Sequence, residues 1–345
     1  MGTKQTTLKD IAKIMDVSIS TVSRALKDSH EIGIDTKKRI IDLAKSLDYI
    51  PNPLALGLLN NKSFTVGVVV PKIGYHYNSA AISGMEEVLD KHGYSVMICQ
   101  SNESQEQEVV HVKNLVASRV DGIIASLAER TSDISHFLYA QEKGIPVIFF
   151  DRVPEHVNAS KIIVDNEAAA ITAVEHMIEC GKQKIAYIAG PPNLRISSLR
   201  YSGYIKALRK HHLEIDASLL IYCEFNQEMG YKSCRKMIEK GLDFDGILAV
   251  NDRTCAGVLT ALREFGIKVP EDVAVIGFND EPYDVFLEPS LSTIRQPAFE
   301  IGMEAARIFL DEKDAEIENF TAKTRILETE LIQRGSTIRT AAALS

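Results

Sequence analysis

The sequence is organised around residues 7–26, which read TLKDIAKIMDVSISTVSRAL. Apolar side chains recur there at helical spacing, which predicts two short helices. Ile11 and Ala12 lie on the apolar face of the first helix, and Val22 and Leu26 point back at them from the second. The small side chain of Ala12 permits a close crossing of the two helices.

Capping signals bound both helices. Thr7 followed by Asp10 predicts a capping box at the start of the first helix. Asp16 stands where the chain must turn sharply, and Asp tolerates a left-handed backbone better than most residues. Ser18 is expected to cap the second helix. Two short helices joined by a tight turn are typical of a helix-turn-helix, whose second helix enters the DNA major groove. A helical hairpin without a role in DNA binding is the alternative.

The outer face of the second helix carries short polar side chains and one arginine. Arg can donate two hydrogen bonds to guanine, and Ser or Thr can reach bases or phosphates. We therefore expect Arg24, with Ser20 and Ile19, to read bases.

Composition places the chain among ordinary water-soluble proteins. It has 345 residues, of which 45% are hydrophobic and 25% charged. No apolar run approaches the length of a membrane helix, and residues 1–10 lack the apolar core of a signal peptide, so we expect a cytoplasmic protein without a membrane partner. The five cysteines are scattered and predict reduced thiols rather than disulfides or a zinc site. They are Cys99, Cys180, Cys223, Cys234 and Cys255.

Charge is distributed unevenly along the chain. Residues 1–62 hold ten Lys or Arg and seven Asp or Glu, a balance of +3, whereas the whole chain carries −8 and the remainder therefore −11. A small basic N-terminal segment followed by an acidic remainder is typical of a DNA-binding protein, although a net charge of +3 produces only a modest electrostatic field.

The segment after the first two helices predicts a third helix and a linker. Asp35–Leu47 has an apolar stripe that would close a three-helix core. Residues 37–39 are Lys-Lys-Arg, which either contact phosphates or form a solvated face. Residues 54–59, LALGLL, are too short for a stable isolated helix and too apolar to remain a free linker. An alternative is that these leucines pack on the core.

From residue 64 the pattern changes to alternating strands and helices. Continuous apolar runs such as VGVVV at 66–70 suit strands buried on both faces of a parallel sheet. Two such series follow one another, which predicts two α/β lobes. No glycine-rich phosphate loop opens either lobe, no Ser lies in a GxSxG elbow, and the histidines lack metal-ligand spacing. We therefore expect no enzyme activity, no cofactor and no metal.

Polar and aromatic side chains follow the strand ends of both lobes. Ligands of such folds bind at the carboxyl ends of the strands, in the cleft between lobes. Amides, carboxylates, an arginine and aromatic rings suit a polyhydroxylated ligand. Such side chains stand at residues 71–79, 126, 151–152, 190–201, 224–225, 251–252 and 278–280. The nine residues called the strand-end candidates below are Tyr77, Asn78, Ser126, Asp151, Arg152, Arg200, Phe225, Asn251 and Asn279. All of them except Ser126 and Arg152 are singled out because the family resemblance described below implies an effector pocket at these positions.

Several of these candidates have a structural alternative. Helix capping competes with ligand binding at Asp151, and it is the favoured interpretation for Asp165 and Asp252. For Phe225 the less favoured alternative is a place in the core, and for Arg200 it is a structural salt bridge.

The motif LKDIAKxxxVSxxTVSRAL at residues 8–26 resembles the N-terminal signature of the LacI/GalR family of bacterial transcription regulators. The resemblance continues through Tyr49-Ile50-Pro51-Asn52 to about Arg334, and so covers nearly the whole chain. It implies a small helix-turn-helix head at 1–50 and a hinge helix with its linker at 51–63. A periplasmic-binding-protein-like domain that binds an effector and dimerises would follow at 64–335, and a tail at 336–345. The first lobe would comprise 64–163 and 294–322, and the second 164–292 and 323–335.

The resemblance also implies roles for single residues. The hinge helix of the family folds when two copies pair on DNA, and a leucine from each, here Leu58, enters the minor groove. The family usually has Asp at the position of Asn279, and it usually has a basic residue near the hinge leucine. The expected DNA-contacting residues are Thr7, Ser18, Ile19, Ser20, Thr21, Ser23, Arg24, His30, Asn52 and Leu58.

The expected function is thus a ligand-responsive transcription repressor. It would bind a palindromic stretch of double-stranded operator DNA as a homodimer, and a small polar effector such as a sugar would control it. A sugar-binding protein without gene-regulatory output is the alternative, and an enzyme of the doubly wound class is a more distant one.

Overall fold

The computed structural model describes residues 6–26, 28–49, 62–314 and 321–338. The chain forms two units, Met1–Ser63 and Phe64–Ser345.

The first unit is a bundle of three helices: α1 (Leu8–Met15), α2 (Ile19–Leu26) and α3 (Ile34–Ser46). The predicted third helix is present and begins and ends one residue earlier than expected. The three helices enclose one apolar core, as the spacing of the sequence indicates. Its buried members are Ile11, Ala12, Val22, Ala25, Ile40 and Ala44.

The predicted caps of the head are confirmed. Thr7 and Asp10 form a reciprocal capping box at the start of α1. Asp16 ends this helix in the left-handed conformation, with φ 51°. The Oγ of Ser18 accepts a hydrogen bond from the backbone N–H of Thr21 at 3.1 Å, at the start of α2.

The second unit contains strands and helices in alternation. Its strands are β1 (Thr65–Val70), β2 (Ser95–Gln100), β3 (Gly122–Ala125), β4 (Val147–Phe150), β5 (Lys161–Val164), β6 (Ile185–Ala189), β7 (Leu220–Tyr222), β8 (Gly246–Ala249), β9 (Ala274–Phe278), β10 (Ser292–Arg295), β11 (Thr324–Leu327) and β12 (Glu330–Ile332). Its helices are α4 (His76–Leu89), α5 (Gln105–Ala117), α6 (Ser135–Glu142), α7 (Asn166–Glu179), α8 (Arg195–Lys210), α9 (Gln227–Glu239), α10 (Asp252–Glu264) and α11 (Ala298–Glu312).

These strands form two six-stranded sheets, one for each lobe. The first sheet has the order β11-β5-β4-β3-β1-β2, and all its strands are parallel. The second has the order β12-β10-β9-β8-β6-β7 and is parallel except for β12, which runs antiparallel to β10. Helices cover both faces of each sheet, so the central strands are buried throughout, as their continuous apolar sequences predict.

The path of the chain between the two lobes differs from the lobe boundaries predicted from the sequence. Residues 292–295 form β10 in the second sheet, although residues from 294 onward were expected in the first lobe. Residues 324–327 form β11 in the first sheet, where Arg325 is the register partner of Ile162, although 323–335 were expected in the second lobe. Residues 324–332 therefore contribute one strand to each sheet, since residues 328 and 329 carry the chain across.

Candidate effector cleft and DNA-contacting head

The exposed face of α2 has a network of hydroxyl groups at its start. The Oγ of Ser18 lies 2.7 Å from the Oγ of Ser20 and 2.8 Å from the Oγ1 of Thr21. The hydroxyl of Thr7 also has a hydrogen-bond partner within the protein, because it donates to the carboxylate of Asp10 at 2.6 Å. A hydroxyl that serves as a cap can still accept or donate at an exposed lone pair or proton, so DNA contact and capping are compatible.

Arg24 lies on this face and is exposed. Its Nη1 is 2.8 Å from the Oε2 of Glu31, and both side chains are more than half exposed. Ile19 is 48% exposed, His30 is exposed and Ser23 is half-buried. The expected contacts Asn52 and Leu58 lie outside the described residues.

The basic run at residues 37–39 is divided between two environments. The Nζ of Lys37 is 2.6 Å from a carboxylate oxygen of Asp28, and this ammonium holds the pKa of that carboxyl below its usual range. Lys38 and Arg39 are exposed. The two exposed cations are thus the members of the run that present their charge to solvent.

In the second unit, side chains from both lobes line a cavity of about 50 Å³, called the inner cavity below. It brings together eight of the nine strand-end candidates, which are Tyr77, Asn78, Asp151, Arg152, Arg200, Phe225, Asn251 and Asn279. Ser126, the residue directly after β3, does not line it and is fully buried. Residues that the sequence argument missed complete the lining: Tyr75, Ile196, Val250, Arg253, Glu281 and Gln296.

The first-lobe wall centres on Asp151 and Arg152, directly after β4. Asp151 has a left-handed backbone, with φ 57°, and burial raises the pKa of its carboxyl, against the opposing effect of Arg152 and Arg200. Arg152 is 8% exposed and its Nη1 donates to the Oε2 of Glu103 at 2.7 Å. Its guanidinium lies 5.0 Å from the ring centroid of Phe225 in the other lobe. Capping is not the role of Asp151, since no helix begins there.

The second-lobe wall centres on Arg200 of α8, which is 3% exposed. Its Nε donates to the Oδ1 of Asn166 at 2.8 Å, and its Nη1 donates to the backbone oxygen of Val250 at 2.6 Å. The guanidinium also lies 4.0 Å from the ring centroid of Phe278. Within the described ranges it makes no ion pair, so the structural salt bridge considered for Arg200 is not formed, and burial lowers its pKa.

Two buried polar atoms of the inner cavity have no hydrogen-bond partner among the described residues. They are the hydroxyl of Tyr77 and the Oε1 of Gln296. Burial, and secondly the carboxyl of Asp151, raise the pKa of Tyr77 well above its usual value, so this hydroxyl is a proton donor. Gln296 uses its Nε2 to donate to the Oδ1 of Asn279 at 2.6 Å. A donor and an acceptor are therefore left for a ligand.

The capping alternatives are resolved residue by residue. Asp165 caps α7, because its Oδ1 accepts from the backbone N–H of Ala168 at 2.9 Å. The expectation for Asp252 was wrong: Asn251 caps α10 by accepting from the N–H of Thr254 at 2.8 Å. The reason is that α10 begins two residues earlier than the sequence indicated.

Both interpretations of Phe225 hold, since it is a core residue that also lines the cavity. It is 7% exposed and packs with Leu194, Ile196 and Val250, and its ring also lines the inner cavity. Gly190 makes room for it, because a Cβ there would lie 2.7 Å from the ring.

Two larger cavities share lining residues with the inner cavity. One of about 740 Å³ shares Tyr75, Phe225 and Arg253, and one of about 620 Å³ shares Asp151, Arg152 and Ile196. The two lobes also contact each other directly. The Nη1 of Arg195 is 2.9 Å from the carboxylate of Glu155, the Nδ2 of Asn193 donates to the backbone oxygen of Glu129, and the guanidinium of Arg253 lies over the ring of Tyr75.

The part of the chain that the structure describes contains no cluster of three or more His, Cys, Asp or Glu side chains placed to hold a metal ion. It also contains no helix that is long and apolar enough to cross a membrane.

Comparison with known proteins places this geometry in a family. Residues 7–52 match the model for bacterial regulatory proteins of the lacI family, and residues 174–337 match a periplasmic binding protein-like domain. The HTH-type transcriptional repressor CytR of Escherichia coli strain K12 is 30% identical over 331 residues, which cover 96% of each chain.

Solved structures agree over nearly the full length. The lac repressor dimer bound to operator and the anti-inducer ONPF has a TM-score of 0.87 and 26% identity, covering 97% of this chain and all of that one. The complex of the transcriptional regulator CelR with cellobiose has a TM-score of 0.73 and 28% identity over 96% of this chain and all of that one. With a helix-turn-helix head and a two-lobed sugar-binding-type domain, this chain belongs to the LacI family of DNA-binding transcriptional repressors.

Proposed function

We propose that this repressor binds a palindromic operator as a homodimer and that a sugar or sugar derivative, bound in the cleft between the lobes, controls its affinity for DNA. Genes of carbohydrate metabolism are the expected targets, and the cytoplasm is the expected place of action. The observation that carries the proposal is the inner cavity, where the unpaired guanidinium of Arg200 meets the free Tyr77 hydroxyl and the free Gln296 carbonyl.

A polyhydroxylated ligand suits these groups. Each sugar hydroxyl is both a donor and an acceptor, so it can satisfy Tyr77, Gln296 and Arg200 at once. The ring of Phe225 offers an apolar face to the CH surface of a sugar. CelR, which resembles this chain at 28% identity, was solved with cellobiose.

The size of the cavity supports a coupling between ligand and lobe position. About 50 Å³ is well below the roughly 300 Å³ at which small-molecule pockets begin. A sugar therefore enters only if the walls move apart or it extends into the neighbouring 620 Å³ or 740 Å³ cavity. Since the walls belong to different lobes, a ligand that touches both favours one lobe angle.

This lobe angle is expected to act on the hinge. The first lobe begins at residue 64, directly after the segment 51–63 that resembles a hinge helix and its linker. Two half-sites of a palindrome need two heads, and a dimer fixes their spacing through its lobes. The coupling must be reciprocal and is typically about 1–3 kcal/mol, so operator changes ligand affinity as much as ligand changes operator affinity.

The first test captures operator fragments from a random DNA pool with the full chain. Capture is repeated with cellobiose, ribose and xylulose, and the bound fragments are sequenced. A palindromic consensus whose retention depends on one sugar supports the proposal. A chain that binds a sugar but retains no DNA, or a stable monomer or tetramer in sedimentation at micromolar concentration, would contradict it.

The second test separates the ligand site from the head. Arg200→Met is expected to abolish the sugar response while ligand-free operator binding persists, if the sugar is an inducer. Arg209→Met is the matched control, because Arg209 lies on the same helix and is exposed. Leu58→Ala is expected to weaken operator binding and to leave ligand affinity of the DNA-free protein unchanged.

The third test concerns base reading by α2. Arg24→Ala is expected to cost about 1–3 kcal/mol of operator affinity and to relax preference at one base pair. Because Arg24 pairs with Glu31 in the absence of DNA, Glu31→Gln is expected to raise operator affinity. Equal loss on all sequences would make Arg24 a phosphate contact instead.

A further inference from the structure

The cavity of about 740 Å³, called the outer cavity below, is lined by cations without acids. Its described lining residues include Lys72 and Arg253 and no Asp or Glu. The 620 Å³ cavity differs, because Arg152 and Arg195 in its lining are each paired with a carboxylate, at 2.7 Å and 2.9 Å. Of these two cavities, the outer one therefore has the uncompensated positive charge.

The two cations of the outer cavity lie close to each other. Neither forms an ion pair or a side-chain hydrogen bond within the described ranges. The Nζ of Lys72 lies 5.6 Å, and the guanidinium carbon of Arg253 lies 4.8 Å, from the ring centroid of Tyr75. Since both charges lie near one ring, they repel each other, and the ring compensates a partly exposed cation only weakly. An anion bound between the two charges would relieve this repulsion.

The backbone that carries these cations is held in place. The carbonyl oxygen of Lys72 accepts from the Nδ2 of Asn78 at 2.9 Å, and the N–H of Ile73 donates to the Oε1 of Gln100 at 2.9 Å. Arg253 lies in the first turn of α10. A ligand therefore binds here without first ordering a loop, which favours affinity.

Two neutral hydrogen-bond donors also line the outer cavity. They are the side-chain amide of Gln227 and the hydroxyl of Tyr283, and neither has a hydrogen-bond partner among the described residues. Burial raises the pKa of Tyr283 above its usual value, so this hydroxyl keeps its proton and can donate. The oxygens of a phosphate group accept several hydrogen bonds, from neutral donors as well as from cations.

Glu281 is the acid that Arg253 influences, and it lines the inner cavity but not the outer one. These two side chains form no ion pair in the part of the chain that the structure describes. Burial raises the pKa of the Glu281 carboxyl, against the opposing effect of Arg253 and His76. A carboxyl that burial shifts towards its neutral form is a weak partner for a cation, so Arg253 keeps its charge for a ligand.

The two cations belong to different lobes. Lys72 follows β1 in the first lobe, and Arg253 is part of α10 in the second. An anion that bonds to both therefore bridges the lobes and favours the lobe orientation in which the cations converge. Tyr75, Phe225 and Arg253 line both the outer and the inner cavity, so one ligand can occupy the two together.

We propose that Lys72 and Arg253 form an anion clamp across the cleft and that the effector is a phosphorylated sugar, whose ring lies against Phe225 and whose phosphate lies between the two cations. A phosphate monoester carries a charge of about −1.5 to −2 at neutral pH, which matches two cations better than a single carboxylate does. The clamp rests on the proposed function, because it specifies the ligand of the same cleft. The repressor then responds to the product of a phosphoryl transfer to a sugar and not to the free sugar.

The first test follows inorganic phosphate by phosphorus NMR. Full-length protein without DNA is added to millimolar phosphate, and the broadening of the phosphorus line reports the weak binding of the bare ion. Lys72→Met and Arg253→Met are expected to reduce the broadening, whereas Lys72→Arg should keep it because it keeps the charge. Lys113→Met and Arg263→Met are the matched controls, because Lys113 is an exposed lysine of α5 in the first lobe and Arg263 is an exposed arginine of α10.

The second test compares sugars with their phosphates by calorimetric titration. Ribose 5-phosphate is titrated beside ribose, and glucose 6-phosphate beside glucose, with gluconate as a sugar that carries a carboxylate. At least one phosphorylated sugar is expected to bind the wild type about tenfold or more tightly than its parent, since the clamp adds charge-assisted hydrogen bonds. This preference should disappear in Lys72→Met and Arg253→Met, and it should shrink at high salt because both cations are partly exposed.

Two results would overturn the clamp in the first test: no broadening in the wild type, or equal broadening in the wild type and in both methionine variants of the clamp. In the second test, a free sugar that binds more tightly than its phosphate would overturn it, as would gluconate binding more tightly than both sugar phosphates. Because the first test uses the bare ion, it decides the matter even when none of these sugars is the natural effector.

Failure of the clamp and failure of the proposed function are distinguishable, since both tests use protein without DNA. Operator binding that depends on a free sugar would keep the proposed function and overturn the clamp. A chain that retains no DNA would overturn the proposed function, whereas its phosphate binding would still be measured.

Discussion

Arg152 and Arg200 reach the inner cavity from opposite lobes, and only the first has a carboxylate partner. Arg152 is paired with Glu103 at 2.7 Å and lies on the ring of Phe225. Arg200 is buried as deeply but is held by an amide oxygen and a backbone carbonyl, above the ring of Phe278. The pKa of Arg152 is accordingly raised by Glu103 and Asp151, whereas burial lowers that of Arg200.

The charge of Arg152 is thus compensated within the protein, whereas the charge of Arg200 remains available to a ligand. A buried pair loses much when one partner is removed, since the other charge is left without compensation. A buried guanidinium bonded only to neutral acceptors keeps charge and donors for a ligand. The charge of Arg152 in the first-lobe wall is therefore already compensated, whereas the charge of Arg200 in the second-lobe wall remains available to a ligand.

The largest expected effect contrasts the two arginines. Arg152→Met leaves the Glu103 carboxylate, whose side chain is 15% exposed, without its cation and with the backbone N–H of Glu129 as its remaining donor, and is expected to lower the free energy of unfolding by about 3 kcal/mol. Arg200→Met leaves two neutral acceptors and should cost only about 1–2 kcal/mol. Urea denaturation of both variants measures this. Equal losses would abolish the distinction between the walls.

The second prediction concerns the pH dependence of global stability. Burial raises the pKa of the Asp284 carboxyl, in the single-turn helix Asp284–Phe286, to about 7 in the folded chain. The contribution of this group to the free energy of unfolding is therefore fully present below about pH 4 and is lost as pH rises to about 7. The free energy of unfolding of Asp284→Asn, measured relative to that of the wild type, is therefore expected to be about 2–4 kcal/mol higher at pH 8 than at pH 4. Urea midpoints across this range provide the measurement, and a difference that is constant with pH would contradict it.

The third prediction adds a second carboxylate to the second-lobe wall, which already contains Glu281. Asn279→Asp keeps an oxygen that accepts from the Nε2 of Gln296, so stability should change by no more than about 1 kcal/mol. Ligand binding should change more, because a donor amide becomes a charged acceptor in the cavity. Calorimetric titration with cellobiose and ribose, beside denaturation, compares the two effects. A large loss of stability with unchanged binding would make Asn279 a structural residue.

The smallest effect is expected at the rim of the cleft, where Arg195 pairs with Glu155. Both side chains are about half exposed, so Glu155→Gln should cost no more than about 1 kcal/mol, and the cost should shrink at high salt. Stability measured at two salt concentrations checks this. A larger, salt-independent loss would show that the rim, and not the inner walls, holds the lobes together.

Local sequence signals account for much of this structure. The caps at Thr7, Asp16 and Ser18 depend on residues one turn apart, so they can be read from the sequence. The strand-end residues converge for a general reason: the carboxyl ends of parallel strands meet at one edge of each sheet. Together with the family resemblance, which singled out seven of the nine candidates, this explains why eight of them line one cavity.

What the sequence did not reveal depends on contacts between distant segments. Gln296 lies just after β10, whose assignment to the second sheet rests on pairing with β9 and not on its own residues. Likewise, Asp284 lies in a polar stretch typical of a surface loop, and only the fold buries it completely. Glu103, which pairs with Arg152, is 49 residues away from it in the chain.

The three passages of the chain between the lobes, after β5, after β10 and between β11 and β12, have a further consequence. Neither lobe is a continuous piece of the gene, so no truncation yields one of them alone. A break in any single passage leaves the other two intact, and a nicked chain keeps its lobes tied together. The same topology makes the passages suitable break points for split-protein complementation, since each fragment then carries strands that only the other can complete.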